Sequence, residues 1–180
     1  MTLPRAGRDQ RAAPVRHGVR RGIIDVRIET YQAIHVACVR EVGPLSAVGP
    51  CFRRLFHWAE SVHAPTGRLL TLSFHRKDAE QPQRWYWKAG VELFTRHAPP
   101  PGIGLEDVGA GRYAVCRLRG PHEGMAEAYR WLFKEWLPGS AEAVDGRACL
   151  EFYRNTPREV APEQLITDLC VPLRAPPQGG

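Results

Sequence analysis

The chain holds 180 residues, 43% hydrophobic and 24% charged, a globular composition with length for one domain or two small fused halves. Collagen-like, coiled-coil and wholly disordered chains are excluded. The formal charge of +6 sits mostly at one end, because residues 1–22 carry six arginines against Asp9 alone, leaving 19 Lys and Arg against 18 Asp and Glu beyond them. A near-neutral body offers no basic stripe to track phosphates, so direct nucleic-acid binding by the folded part is not expected. No stretch approaches the roughly 18 consecutive apolar residues of a membrane span. The Arg-rich start has no apolar run before Ile23 to act as a signal peptide, and a cytoplasmic protein with no membrane partner is expected.

Residues 1–22, rich in Arg, Pro, Gly and Gln, are expected to form a disordered tail. A folded body is expected over 23–174, with a second disordered tail at 175–180. Residues 25–31 and 34–42 alternate as strands, and Gly43-Pro44 breaks the pattern. Val48, Cys51, Phe52, Leu55, Ala59 and Val62 then recur at three- and four-residue spacing and predict a helix, with Pro50 tolerated near its first turn. Strands follow over 68–75 and 86–94, and 97–102, with three consecutive prolines, is a stiff connector. Further strands are predicted near 103–108 and over 112–119, with Gly109-Ala110-Gly111 read as a hairpin turn between them. A helix over 123–137 carries the stripe Met125, Ala128, Tyr129, Leu132, Phe133 and Trp136 and stops at Pro138-Gly139. Strands over 147–153 and 165–173 complete the pattern.

The body also resembles itself. An offset of 77 matches Glu29 with Glu106, Ala37 with Ala114, Arg40 with Arg117, and Gly43-Pro44 with Gly120-Pro121; an offset of 78 aligns 72–76 with 150–154. The expected fold is therefore α+β, a tandem duplicated strand-helix-strand-strand unit with pseudo-two-fold symmetry. Repeat one spans 23–96 and repeat two 103–174. Each half needs its apolar face covered, and the cleft between halves is the natural place for a ligand.

Among residues that could carry chemistry, the five cysteines are odd in number and form no Cys-x-x-Cys pair, and the seven histidines form no ligand cluster. No metal and no cofactor are expected. Trp85, Tyr86 and Trp87 open a strand, with Trp85 and Trp87 on one face and Tyr86 on the other. Aromatic walls stack planar ligands and hold cations at their ring faces; for Trp87 and Tyr153, pocket and core are both open. The helix aromatics Phe52, Phe56, Tyr129, Phe133 and Trp136 read as core. Glu151 lies between Leu150 and Phe152 in a strand, where alternation alone permits a solvent-facing glutamate.

Several motifs then resemble the GyrI-like small-molecule-binding family: Arg112-Tyr113-Ala114-Val115, Gly120-Pro121, Trp136-Leu137-Pro138-Gly139-Ser140, Leu150-Glu151-Phe152-Tyr153-Arg154-Asn155 and Thr167-Asp168-Leu169-Cys170-Val171-Pro172-Leu173. Tyr86-Trp87-Lys88-Ala89-Gly90-Val91 agrees upstream. The resemblance implies a stand-alone relative of AraC-type and multidrug-sensing effector domains, binding hydrophobic cationic aromatic molecules between its halves. It makes Glu151 the acidic residue that meets the cation, with Tyr153, Trp87, Trp85 and Tyr86 as aromatic candidates. It also implies two alternatives. One is hydrolysis of cyclopropane-bearing alkylating metabolites, with Glu151 orienting or deprotonating water and the Tyr153 hydroxyl as its hydrogen-bond partner; the other is inhibition of DNA gyrase as in the SbmC type. Only about 22 polar residues precede the body, so a helix-turn-helix regulator is not expected.

Overall fold

The computed structural model of the chain describes residues 23–42, 48–73 and 86–176, with the side chains of Ile23 and Ile24 excepted. The expected 1–22 tail, Gly43-Pro44, His75, Trp85 and the last four residues lie outside the described residues.

Strands β1 (Ile23–Tyr31), β2 (Ile34–Val42), β3 (Thr66–Ser73), β4 (Tyr86–Leu93), β5 (Gly104–Val108), β6 (Gly111–Arg119), β7 (Cys149–Tyr153) and β8 (Ile166–Pro172) form one sheet. Its order is β1-β6-β8-β7-β3-β4-β2-β5, and every neighbouring pair is antiparallel. Helix α1 (Val48–Ser61) crosses one half. A 3₁₀ turn (His122–Gly124), helix α2 (Met125–Trp131) and a wider π turn (Leu132–Trp136) cross the other. Rather than two small sheets, the halves share one, zipped together where β3 pairs with β7.

Connectivity forces this sheet to curl. β1 and β2 are joined by Gln32-Ala33 alone, yet five strands stand between them in the sheet. In a flat sheet they would lie about 29 Å apart at ~4.8 Å per strand, while three peptide steps reach at most about 11 Å. The same holds for β5 and β6, which are joined by Gly109-Ala110 and do not pair with each other. The hairpin expected at Gly109-Ala110-Gly111 is therefore absent: the segment links opposite ends of the sheet. Gly109 at φ +89° and Gly111 at φ +110° adopt backbone that a side chain would disfavour.

Curling buries both faces. Along β2, Ala37 and Val39 pack with Leu55 and Trp58 of α1, while Val36 and Cys38 join Leu70, Tyr113, Phe152 and Cys170 on the opposite face. On that inner face Tyr31 stands edge-on to Phe152, with centroids 5.8 Å apart. Under α2, Tyr129, Leu132 and Trp136 pack on Cys116, Leu169 and Val171.

The same inner face holds a buried ion cluster. Asp168 of β8 is fully buried and receives two hydrogen bonds from Arg117, at 2.7 and 2.8 Å, and one from Arg154 Nε at 2.8 Å. Arg27 of β1 adds a third cation at 3.5 Å, so one carboxylate ties β1, β6 and the end of β7 to β8. Burial opposes its charge, but the arginine hydrogen bonds prevail and hold the carboxyl below the usual aspartate range. Asp168→Asn is expected to cost about 2–4 kcal/mol in urea unfolding at pH 7. The wild-type advantage should be full above the ordinary aspartate value of about 3.9 and disappear as pH falls through the lowered one.

Candidate ligand-binding site

The register of β3 against β7 sets the site. Thr71 pairs with Glu151, Leu69 with Tyr153 and Ser73 with Cys149, and alternation turns the side chains of Thr71, Ser73, Glu151 and Tyr153 toward the helices. Each helix covers its own half, which leaves a gap above this central pair. The gap is a cavity of about 630 Å³. Leu69 and Tyr153 form its floor, Val48, Phe52 and Phe56 of α1 one wall, and His122 and Met125 the other. The exposed residues Arg53, Glu123 and Arg158, with Asn155 and Thr156 beside them, surround its mouth. Phe52 meets the Tyr153 ring edge-on at 5.8 Å, and His122 approaches it at 5.2 Å.

Directly behind the floor lies Glu151, only 4% exposed. Its Oε1 accepts hydrogen bonds from Tyr129 and Ser73, each at 3.0 Å, and its Oε2 accepts one from Thr71. Because Thr71 gives its proton to the carboxylate, it accepts from the Tyr153 hydroxyl at 3.2 Å. A chain of hydroxyls thus runs from the cavity floor to the buried acid. Three neutral donors do not replace bulk water, and burial raises the Glu151 pKa against their opposing effect. Burial likewise pushes up the hydroxyls of Tyr129 and Tyr153, with the nearby carboxylate adding to the shift, and depresses the His122 pKa. The outcome is an acid that gains stability when a positive charge comes near.

Of the residues singled out from sequence, Glu151 and Tyr153 come together around Thr71, and Tyr153 lines the cavity. Trp87 does not line it: at 5% exposure it packs with Cys51, Leu55 and Trp58 beneath α1. Tyr86 is also absent from the walls, and its ring lies 4.2 Å from the Arg40 guanidinium. Trp85 lies outside the described residues. Phe52 and Phe56, read as core, are half-buried and line the cavity. They flank the deep Cys51–Leu55–Trp58 stripe on the side facing the gap. Tyr129, also read as core, is buried, but its hydroxyl serves Glu151. A buried tyrosine needs a hydrogen-bond partner, and that requirement was the available sequence signal. Thr71, His122 and Met125 carried none. Among the described residues no group of three His, Cys, Asp or Glu is placed to hold a metal ion, and no described helix is long and apolar enough to cross a membrane.

The family described as the GyrI-like small molecule binding domain matches residues 24–174, essentially all of the curled sheet and both helices. The chain belongs to the GyrI-like family. A relative named DNA gyrase inhibitor, from Edwardsiella piscicida, is 28% identical over 158 residues, covering 84% of this GyrI-like chain and 99% of the relative. The crystal structure of the EcmrR C-terminal domain shares the fold at a TM-score of 0.73 and 13% identity, covering 83% of this chain and 97% of that one. In the EcmrR–DNA complex the same fold spans 57% of the longer EcmrR chain. The structure of SAV2435 bound to tetraphenylphosphonium matches at a TM-score of 0.57 and 12% identity, over 84% of this chain and 94% of that one.

The raised Glu151 pKa fixes the sign of a stability test. A folded state that holds this proton more tightly than the unfolded chain loses stability as pH rises above the ordinary glutamate value of about 4.3. Glu151→Gln, whose amide can still accept from Tyr129 and Ser73 and donate to Thr71, should therefore melt level with wild type near pH 4 and above it at pH 8. Tyr129→Phe, which removes one donor from the acid, should instead lower stability by about 1–3 kcal/mol at pH 8.

Proposed function

We propose that this GyrI-like chain captures hydrophobic, aromatic, cationic small molecules in the central cavity, to sense or sequester them, with Glu151 as the charge anchor. The observation that carries the reading is a buried carboxyl, raised in pKa, directly behind the floor of an aromatic-walled cavity of about 630 Å³. In so dry a setting a ligand cation interacts with the acid far more strongly than in water, without needing to touch it. Phe52 and Tyr153 supply flat surface for a ring system, and the Tyr153–Thr71 hydroxyl pair transmits polarity from ligand to acid. The tetraphenylphosphonium bound by SAV2435, a neighbour in fold, belongs to the same chemical class.

The reading takes the chain as two copies of a strand-helix-strand-strand unit, with the cavity on their pseudo-two-fold axis. Strand order supports this, since exchanging each strand for the one four places along returns the same order from the other end. So does Leu72, which pairs across β3 and β7 with Leu150, its own match in the self-alignment.

Thermal-shift titration with tetraphenylphosphonium tests the anchor. A ligand bound only by the folded state stabilises it by about 2.7 kcal/mol at 100 times its Kd. Wild type should gain a clear rise in melting temperature, Glu151→Gln should lose most of it, and Phe52→Ala should bind about tenfold more weakly. Because the cation favours the ionised acid, binding should displace a proton and tighten as pH rises toward the raised Glu151 value, levelling off above it. An equal response of wild type and Glu151→Gln would remove Glu151 from the site. Hydrolysed ligand recovered after incubation would move the reading to turnover by Glu151 and Tyr153.

The relative named DNA gyrase inhibitor, aligned over 99% of its length, favours a second reading in which the chain restrains gyrase. Loss of supercoiling by purified gyrase on adding ligand-free protein would support it, and unchanged supercoiling at a large molar excess would end it.

A further inference from the structure

The mouth of the cavity carries the opposite preference from its floor. Fourteen arginines lie among the described residues, and ten of them have a hydrogen bond, ion pair or aromatic ring as partner. The other four, Arg53, Arg119, Arg130 and Arg158, have no hydrogen bond or ion pair among the described residues, and two of these four line the mouth. Arg53 extends from α1, with its Nη1 over Gly49, while Arg158 stands on the loop that follows β7. They come from opposite halves of the chain, and Glu123 is the only carboxylate among the lining residues. The lining alone thus sums to one net positive charge above an apolar interior.

Resting on the reading that the cavity holds a hydrophobic cation, we propose that the preferred ligand is an amphipathic zwitterion, with an acidic group held at the mouth by Arg53 and Arg158. A guanidinium offers planar paired donors suited to carboxylate, sulfonate or phosphate. Two such groups with no hydrogen bond or ion pair among the described residues require no ion pair there to be broken when the ligand arrives. A purely cationic ligand would meet these two positive charges on entry, whereas a ligand bearing an acid at its outer end cancels them.

The test uses two dyes with the same planar cationic ring system. Rhodamine 110 carries a free carboxylate, and rhodamine 123 is its methyl ester. Fluorescence anisotropy titrations on the full chain should show the carboxylate dye binding about five- to tenfold more tightly. That preference should vanish in Arg53→Gln/Arg158→Gln with ester affinity unchanged or improved, and should shrink in 0.5 M NaCl because exposed charges are screened. Both arginines are exposed and have no hydrogen bond or ion pair among the described residues, so the double variant should melt with wild type, which checks that it folds. Equal affinity for the two dyes, or a preference that survives in the double variant, overturns the acid-group inference while leaving the cavity reading intact through the ester's binding. If neither dye binds, the cavity reading falls and this inference with it. Glu151→Gln separates the two further, since it should weaken both dyes by the same factor.

Discussion

Thr71 and Glu151 face each other across β3 and β7, at the middle of an eight-stranded sheet, and this pairing does two things at once. It zips the two halves into a single sheet, and it places an acid at the one region that neither helix covers. A shift of one residue in this register would turn Glu151 to the inner face, among Leu70, Leu72 and Cys170, and would bring the apolar Leu150 and Phe152 to the base of the cavity in its place. The cavity floor and the continuity of the sheet are thus consequences of the same hydrogen-bond ladder.

The chain solves the problem of a buried carboxylate twice, in opposite ways. On the inner face of the curl, Asp168 is met by Arg117, Arg154 and Arg27, so its charge is compensated and it serves as a staple between strands. On the helix face, Glu151 is met by hydroxyls alone, so its charge is tolerated rather than compensated. The difference separates an acid whose charge is neutralised from one whose charge is not. Geometry reinforces it: three arginines crowd Asp168, whereas hydroxyl groups alone donate to Glu151 among the described residues.

The two helices also divide their aromatic residues between tasks. Trp58 and Trp136 fill the spaces beneath α1 and beyond α2, and Phe52 and Phe56 stop at the edge of the sheet's cover and look into the gap. Tyr129 does both, with its ring in the α2 cluster and its hydroxyl on Glu151. Such sharing arises because the cavity wall is the flank of the core.

Local order was legible in the chain itself. The strand at Ile34–Val42 and the helix from Val48 follow from period-two and period-3.6 patterns that need only neighbouring residues. The ordered motifs from Arg112 to Leu173 led to the family, and through it to Glu151 and Tyr153. Tertiary structure alone decided the rest. That Gly109-Ala110-Gly111 spans a curl instead of closing a hairpin depends on which strands pair over long range, and local turn chemistry is the same in both cases. Phe52 and Leu55 are equally apolar neighbours on one helix, yet only the width of the gap above β3 and β7 makes one a cavity wall and the other core. Thr71 and Tyr129, far from Glu151 in sequence, became its donors because burial leaves a carboxyl no water to turn to, and folding brought both hydroxyls into hydrogen bonds with it, that of Tyr129 at 3.0 Å.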